Sequence, residues 1–427
     1  MTTNRFRNFP LFLLGLVVCG SSHGRAATTT AQSIDASAPA ICFWSPDAAM
    51  LLRQRALAHD PAVAEAVETL VKRANSAMKL GPFSVVDKQL LPPSGDKHDY
   101  STLGRYYWPN PKTPNGMPWI RQDGKTNPDY FNGKIGDSER FVHLVDSVVV
   151  LSRAYYLTGQ EKFAERAALL LRTWFIDPAT KMNPNAKYGG RFPGNWDGVC
   201  YGIHGTRELM DIADAIGLLR DSAAWKPADQ SAMTDWFGQY LTWLTTSDLG
   251  KEEGSQKNNH GIAWDCLVIR LAIFTGQRDL ARRILDEAPA KRIATQIQPD
   301  GKMPLELARA EPWDYTRYAL EFLFKLSVLG DRENVDLWHY RSSDGRSIRV
   351  AFDYLIDSIC KKDGSIDQAI LAKAVPDRVG PLLQVAARVY HDPRYLDIMK
   401  RIGAKPDLVL QETSVNGILS QDPTTKP

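Results

Sequence analysis

Cysteine is scarce in this chain: five in 427 residues, with no pair in CxxC spacing. That removes the sulfur clusters from which zinc ribbons, redox dithiols and disulfide-dense small scaffolds are built. Charge of one sign is not in excess either. Lys and Arg number 52 against 49 Asp and Glu, a net charge of +3, far from the basic surplus of a nucleic-acid binder. No apolar run reaches the roughly 20 residues that cross a bilayer, so no membrane span is expected. None of HExxH, GxSxG, a P-loop or GxGxxG occurs in the setting its chemistry needs. This disfavours zinc proteases, serine hydrolases and nucleotide enzymes. Strand alternation is sparse as well.

What is present begins with "MTTNRFRNFPLFLLGLVVCGSSHGRA", in which two arginines precede a short apolar run from Pro10 to Val18, followed by small residues. This reads as a secretory signal peptide over residues 1–27, leaving 28–427 as a single domain in the periplasm or outside the cell. Cys19 follows "LVV", a poor lipoprotein box, so simple cleavage is expected. Cys42, Cys200, Cys266 and Cys360 are then either buried thiols or one disulfide.

Helical periodicity recurs over residues 46–78, 138–174, 206–219, 228–244, 262–294 and 313–329. The chain is predicted to be all-α. "YYLTGQEKFAERAALLL" from Tyr155 and "AIFTGQRDLARRILDEA" from Ala272 each end one helix at Thr-Gly-Gln and start another. Helical hairpins in series follow, and stacked hairpins can curve into a toroid of inner and outer helices. Residues 81–136 and 177–201 break the rhythm with Pro, Gly, Asn and aromatics. Loops this long and this aromatic are expected to be ordered and functional. Tyr106, Tyr107, Trp108 and Trp119 would either stack on sugar faces or pin the loop to the body.

Two polar clusters carry candidate chemistry. "KNNHGIAWD" sets Asn258, Asn259 and His260 at the head of the apolar run "CLVIRLAIF". One hairpin later, "QIQPDGKMPLELARAEPWDYTRYAL" brings Glu306, Arg309, Tyr315 and Tyr318. Asn, His, Arg and Tyr together suit β-elimination from a uronic acid. That reaction takes the C5 proton beside a carboxylate and expels the oxygen at C4. Amide and guanidinium donors would stabilise the enolate-like charge, while a base and an acid handle the two protons. Histidine is a base near neutral pH; tyrosine, with a pKa near 10, needs a cation such as Arg to lower it. Each residue also has a structural alternative. His260 reads equally as a core or capping histidine, Asn258 as a helix cap, Arg309 as a partner of Glu306 or Asp314, and the tyrosines as packing. The other histidines rank lower: His204 could line the same cleft, His98 belongs to the aromatic loop, and His143 could face either cleft or core.

With "HDYSTLGRYYWPNPKTPNGMPWIRQDGKTNP" and "YYLTGQEKFAERAALLLRTWFIDPATKMNPN" added to these clusters, the chain resembles the alginate lyase domain family of bacterial polysaccharide lyases. The resemblance implies an incomplete (α/α) toroid that cleaves β-1,4-linked polyuronates without an obligatory cofactor, and no metal. It places the catalytic set on Asn259, His260, Arg309 and Tyr315. Asn258, Tyr106, Tyr107, Trp108, Trp119, His204, Glu306 and Tyr318 are the expected substrate contacts. The "YYWPNP" loop points to a branch that includes glucuronan-cleaving enzymes, so glucuronan and mannuronate-rich alginate both stand as substrates. Two other functions compete: a glycoside hydrolase using a pair among Asp265, Glu306 and Asp314, and a non-catalytic polysaccharide-binding protein.

Overall fold

The computed structural model describes residues 40–360, 365–367, 370 and 376–404. The expected signal peptide and Cys19 lie outside them. Helices α1 (Pro46–Leu57) and α2 (Pro61–Ala77) each start on a proline, where no amide donor is missed. Ser45 and Asp60 cap them by accepting from the amides of Ala48 and Ala62. The irregular stretch that follows carries β1 (Ser101–Leu103), β2 (Tyr107–Trp108) and β3 (Ile120–Arg121). Strands β2 and β3 pair antiparallel, and β1 pairs in parallel with β4 (Tyr188–Arg191), which joins the two aromatic loops.

Next come α3 (Ser138–Thr158) and α4 (Glu161–Leu171), the first helical hairpin. Beyond β4 lie α5 (Leu209–Leu219), α6 (Pro227–Thr246), α7 (Asp248–Ser255), α8 (Asn259–Phe274) and α9 (Arg278–Ala288). Short α10 (Ala294–Gln296) and α11 (Pro304–Leu307) lead to α12 (Pro312–Arg332) and α13 (Ile348–Asp357). The last two described helices are α14 (Pro376–Val389) and α15 (Arg394–Arg401). Both Thr-Gly-Gln stretches stop a helix as expected: α3 ends at Thr158 and α8 at Phe274.

The packing is a double layer. Helix α3 packs on α5, α5 on α8, α8 on α12 and α12 on α14, while α4, α6, α9 and α13 pack on that series from the other side. Residues of α2, α3, α5, α8, α12 and α14 surround one large cavity; α4, α6, α9, α13 and α15 contribute none. Because α8 is flanked by α5, α6, α9 and α12, its apolar run is buried all round rather than on one stripe, with Ile262, Cys266, Val268, Ile269 and Leu271 at 0% exposure. Arg270 sits in that run because its guanidinium reaches Asp214 on α5 at 2.7 Å. Cys42, Cys200, Cys266 and Cys360 are all free thiols, so the disulfide alternative is not realised.

The long loop is tied to the helices by one buried ion pair. Lys88 Nζ lies 3.1 Å from Asp137 Oδ2, both side chains fully enclosed, and also donates to the carbonyls of Val85 and Lys97. Asp137 precedes α3 and accepts from the Ser101 amide at 2.9 Å. Helix α3 and β1 are thereby held together at the edge of the cavity.

Candidate active site

The head of α8 builds the first wall. Asn258 is its N-cap and accepts from the His260 amide at 3.0 Å, so the capping alternative is what the structure adopts for this residue. Gly261 follows because a Cβ there would collide with the Gln256 carbonyl and with Arg292 Nη1. That arginine is enclosed. Its Nε and Nη2 bond both oxygens of Asp265 at 2.6 and 2.8 Å, and it donates to the carbonyls of Gly254 and Gln256 at 2.8 and 2.7 Å. The guanidinium thus clamps the end of α7 to the first two turns of α8.

This clamp sets Glu253 against His260. Glu253 is buried on α7 and its Oε1 lies 2.7 Å from His260 Nδ1. A carboxylate at Nδ1 selects the tautomer protonated there and leaves the Nε2 lone pair free. A carboxylate held on an imidazole in this way has the form of the orienting half of an acid–base site.

Asn259 turns the other way. It is 1% exposed, its amide nitrogen donates to both Glu306 oxygens at 3.0 and 2.8 Å, and its backbone N–H donates to Glu306 Oε1 at 2.6 Å. Glu306 is therefore not placed as a substrate contact. It lies beneath Asn259, outside the cavity lining, with burial raising its pKa. Asn259 also lines the cavity, with its side-chain nitrogen facing the Glu306 carboxylate.

The adjoining wall comes from α12, which packs on α8, and from the long loop. Tyr315 shares a hydrogen bond of 2.8 Å with Tyr106, and the Arg309 guanidinium stacks 3.7 Å from the Tyr315 ring centroid. Arg309 lowers the tyrosine pKa, but burial and the Tyr106 hydroxyl outweigh it, and the net shift is upward. Tyr315 thus keeps its proton at neutral pH. Arg309 pairs with neither Glu306 nor Asp314. Its partner is Asp123, whose two oxygens take Nε and Nη2 at 2.6 to 3.1 Å and whose pKa falls to about 2 through those bonds. Asp123 lies in a Gln-Asp-Gly-Lys stretch that reads as a plain turn, so the sequence offers no sign of it.

His204 completes the floor. Gly202 and Gly189 approach so closely that a Cβ on either would strike the other's backbone, and this contact seats the Cys200–Thr206 turn beside β4. The His204 ring lies 4.4 Å from that of His260, and its Nε2 bonds the Tyr318 hydroxyl at 2.8 Å. Burial, then His260, hold the His204 pKa well below that of a free imidazole, so it is neutral. Tyr107 also lines the cavity and shares a 2.6 Å hydrogen bond with Tyr201. Trp108 and Trp119 do not line it. The Trp108 indole donates to the Lys125 carbonyl at 2.9 Å and pins the loop instead.

The cavity enclosed by these walls measures about 1180 Å³. That exceeds a typical small-molecule pocket of roughly 300–1,000 Å³ and suits several linked sugars. The alginate lyase family profile matches residues 84–364, a span that holds every residue of this site. The chain belongs to the alginate lyase family. Its members are polysaccharide lyases, and this chain is one of them. An alginate lyase from Bacteroides ovatus is 33% identical, with 90% of this chain and 100% of that one covered at a TM-score of 0.80. A variant of alginate lyase A1-III solved with a tetrasaccharide is 15% identical over 84% and 94% of the two chains, TM-score 0.52, a likeness of fold alone. The A1-III enzyme from Sphingomonas species A1 gives 16%, 68%, 76% and 0.45 by the same measures. No curated protein matches the chain. Family membership leaves the hydrolase and non-catalytic readings without support. Asp265 is spent on Arg292, Glu306 on Asn259, and Asp314 on Arg317 and Arg378.

Proposed function

We propose that this polysaccharide lyase cleaves β-1,4-linked polyuronate, glucuronan or mannuronate-rich alginate, by β-elimination, with His260 as base and Tyr315 as acid. The observation that carries the reading is one cavity holding both an imidazole with Nε2 left free by Glu253 and a tyrosine held protonated beside Arg309. His260 Nε2 takes the C5 proton. The electron pair left at C5 forms the C4–C5 double bond as the C4–oxygen bond breaks, and the Tyr315 proton goes to the departing oxygen, which becomes a hydroxyl. The uronate carboxylate must be screened while C5 loses its proton. Arg309 Nη1, which Asp123 does not engage, is the donor proposed for it. Asn259 supports the α8 wall through Glu306.

Glucuronate and mannuronate differ at C2 and share their configuration at C4 and C5, with H5 and the C4 oxygen on the same ring face, so one acid and base that both reach that face serve either sugar. Contacts around C2 then decide preference. The helices α3, α5, α8, α12 and α14 are read as the inner wall of an incomplete (α/α) toroid with the aromatic loops over its mouth. Residues 1–27 are read as a signal peptide, which puts the enzyme in the periplasm or medium; among the described residues no helix is long and apolar enough to cross a membrane. Incubation with glucuronan, polymannuronate and polyguluronate, followed by ultraviolet absorbance of the conjugated uronate, tests the reading. Absorbance should rise on the first two; chain cleavage without it, or binding without cleavage, would overturn elimination.

A further inference from the structure

Three donors of metal-ligand type meet at the floor of the cavity, His204 and His260 lining it and Glu253 bonded to His260. His204, Glu253 and His260 each offer one ligand atom, and these atoms lie within 4.8 Å of one another. They come from separate stretches: the Cys200–Thr206 turn, α7 and the first turn of α8. A tetrahedral zinc ion holds nitrogen and oxygen ligands at about 2 Å, hence about 3.3 Å from one another. Side-chain adjustments of about an ångström would close the set. Two imidazoles and a carboxylate, with a fourth position left to the solvent, form the donor set of an open zinc site.

Two further observations point to a ligand. His204 Nε2 is engaged by the Tyr318 hydroxyl, while Nδ1 is buried and bonds to nothing among the described residues. Glu253 is 1% exposed, and its Oε2 is likewise enclosed without a partner. Buried acceptors left unbonded carry a desolvation cost that a cation would offset. A histidine with one nitrogen fixed by a polar neighbour and the other unbonded is how surrounding groups orient a metal ligand.

We propose that His204, Glu253 and His260 bind a zinc-type divalent ion, and that this occupancy and elimination exclude one another. The second half rests on the reading of His260 as base. An ion in this set takes a lone pair of His260 and displaces the Glu253 hydrogen bond that aims the ring. Magnesium is expected to be refused, because it prefers oxygen ligands and retains several waters.

The test uses the full chain freed of metal by chelator, titrated with zinc or magnesium in a calorimeter, with zinc per chain measured after dialysis. One zinc per chain is expected, binding at least tenfold weaker in both His204→Ala and Glu253→Gln, with no saturation by magnesium. Turnover of polyuronate by the wild type should fall in step with zinc occupancy and return on chelation. Circular dichroism checks that the variants fold; if one does not, the other and the wild-type stoichiometry decide. Absence of stoichiometric zinc, or equal affinity in the folded variants, overturns the site. One bound zinc with full turnover overturns the exclusion. If metal-free protein eliminates no polyuronate, the exclusion falls with the functional reading, and zinc stoichiometry still decides the site.

Discussion

In the proposed elimination Tyr315 gives the proton and Glu253 orients the base His260, and either side chain can be changed with little change of shape. Tyr315→Phe takes away the hydroxyl that Tyr106 and burial hold protonated. kcat should fall by about 10²–10⁴-fold, the usual range for loss of a general acid, with KM nearly unchanged in steady-state assays of unsaturated product. Glu253→Gln keeps the volume but lets an amide face His260 Nδ1, so the imidazole is no longer held in one tautomer. A loss of kcat of up to about 10⁴-fold is expected, the scale set by exchanging the carboxylate of a His–Asp pair for its amide. Retention of more than half the wild-type rate in Glu253→Gln would show that His260 needs no orienting partner. Residue type and spacing marked His260 and Tyr315 as candidates, and the family resemblance singled them out. Glu253 was not marked, because the chemistry of a carboxylate seven residues before a histidine depends on a turn of chain between them.

That turn is a matter of elements. Helix α7 has the sequence Asp-Leu-Gly-Lys-Glu-Glu-Gly-Ser, two glycines and a single apolar residue in eight, and shows no helical period. It exists because Ser247 caps it by accepting from the Gly250 amide and because Arg292, from the next hairpin, grips its last carbonyls. Arg292→Leu removes that grip and leaves buried Asp265 with Lys291, 3.5 Å away and partly exposed, as its remaining counter-charge. Breaking one half of a buried pair costs about 3–5 kcal/mol, so the urea midpoint should fall accordingly. Activity should fall further than stability predicts, as α7 carries Glu253 away from α8. An unchanged midpoint would show that Asp265 finds another partner. The helix ends at Thr-Gly-Gln and the cap at Asn258 were readable beforehand, since capping is local. The exchange of partners by Arg309, from Glu306 or Asp314 to Asp123, was not. It joins positions far apart in the chain, across the mouth of the cavity.

Across the whole molecule the inner helices line the cavity with carboxylates as well as cations. Asp146 on α3 is pushed up to about 6, first by burial and then by Glu208. The folded protein therefore holds that proton more tightly than the unfolded chain does. The stabilisation is complete below the ordinary carboxylate pKa near 4 and is lost as pH rises through about 6. Asp331, also pushed up to about 6 by burial, acts in the same direction. Asp146→Asn, neutral at every pH, should match the wild type near pH 4 and exceed it at pH 7.5 by on the order of 1–3 kcal/mol. Urea denaturation at the two pH values measures the difference. A variant no more stable than wild type at pH 7.5 would mean that Asp146 is ionised in the fold at little cost.

The sequence by itself determined the helical class, the hairpin ends, the ordered aromatic loops and the polar types placed at the head of α8 and the start of α12. These follow from periodicity, capping and composition, which act over a few residues. Only the tertiary structure decided which of those side chains face the cavity. Glu306 lies outside the cavity beneath Asn259, Trp108 is spent on pinning a loop, and Glu253, Asp123 and Arg292 enter the site from stretches without a local signature. Burial and partner choice depend on what the rest of the chain brings within 3 Å, and no local pattern encodes that.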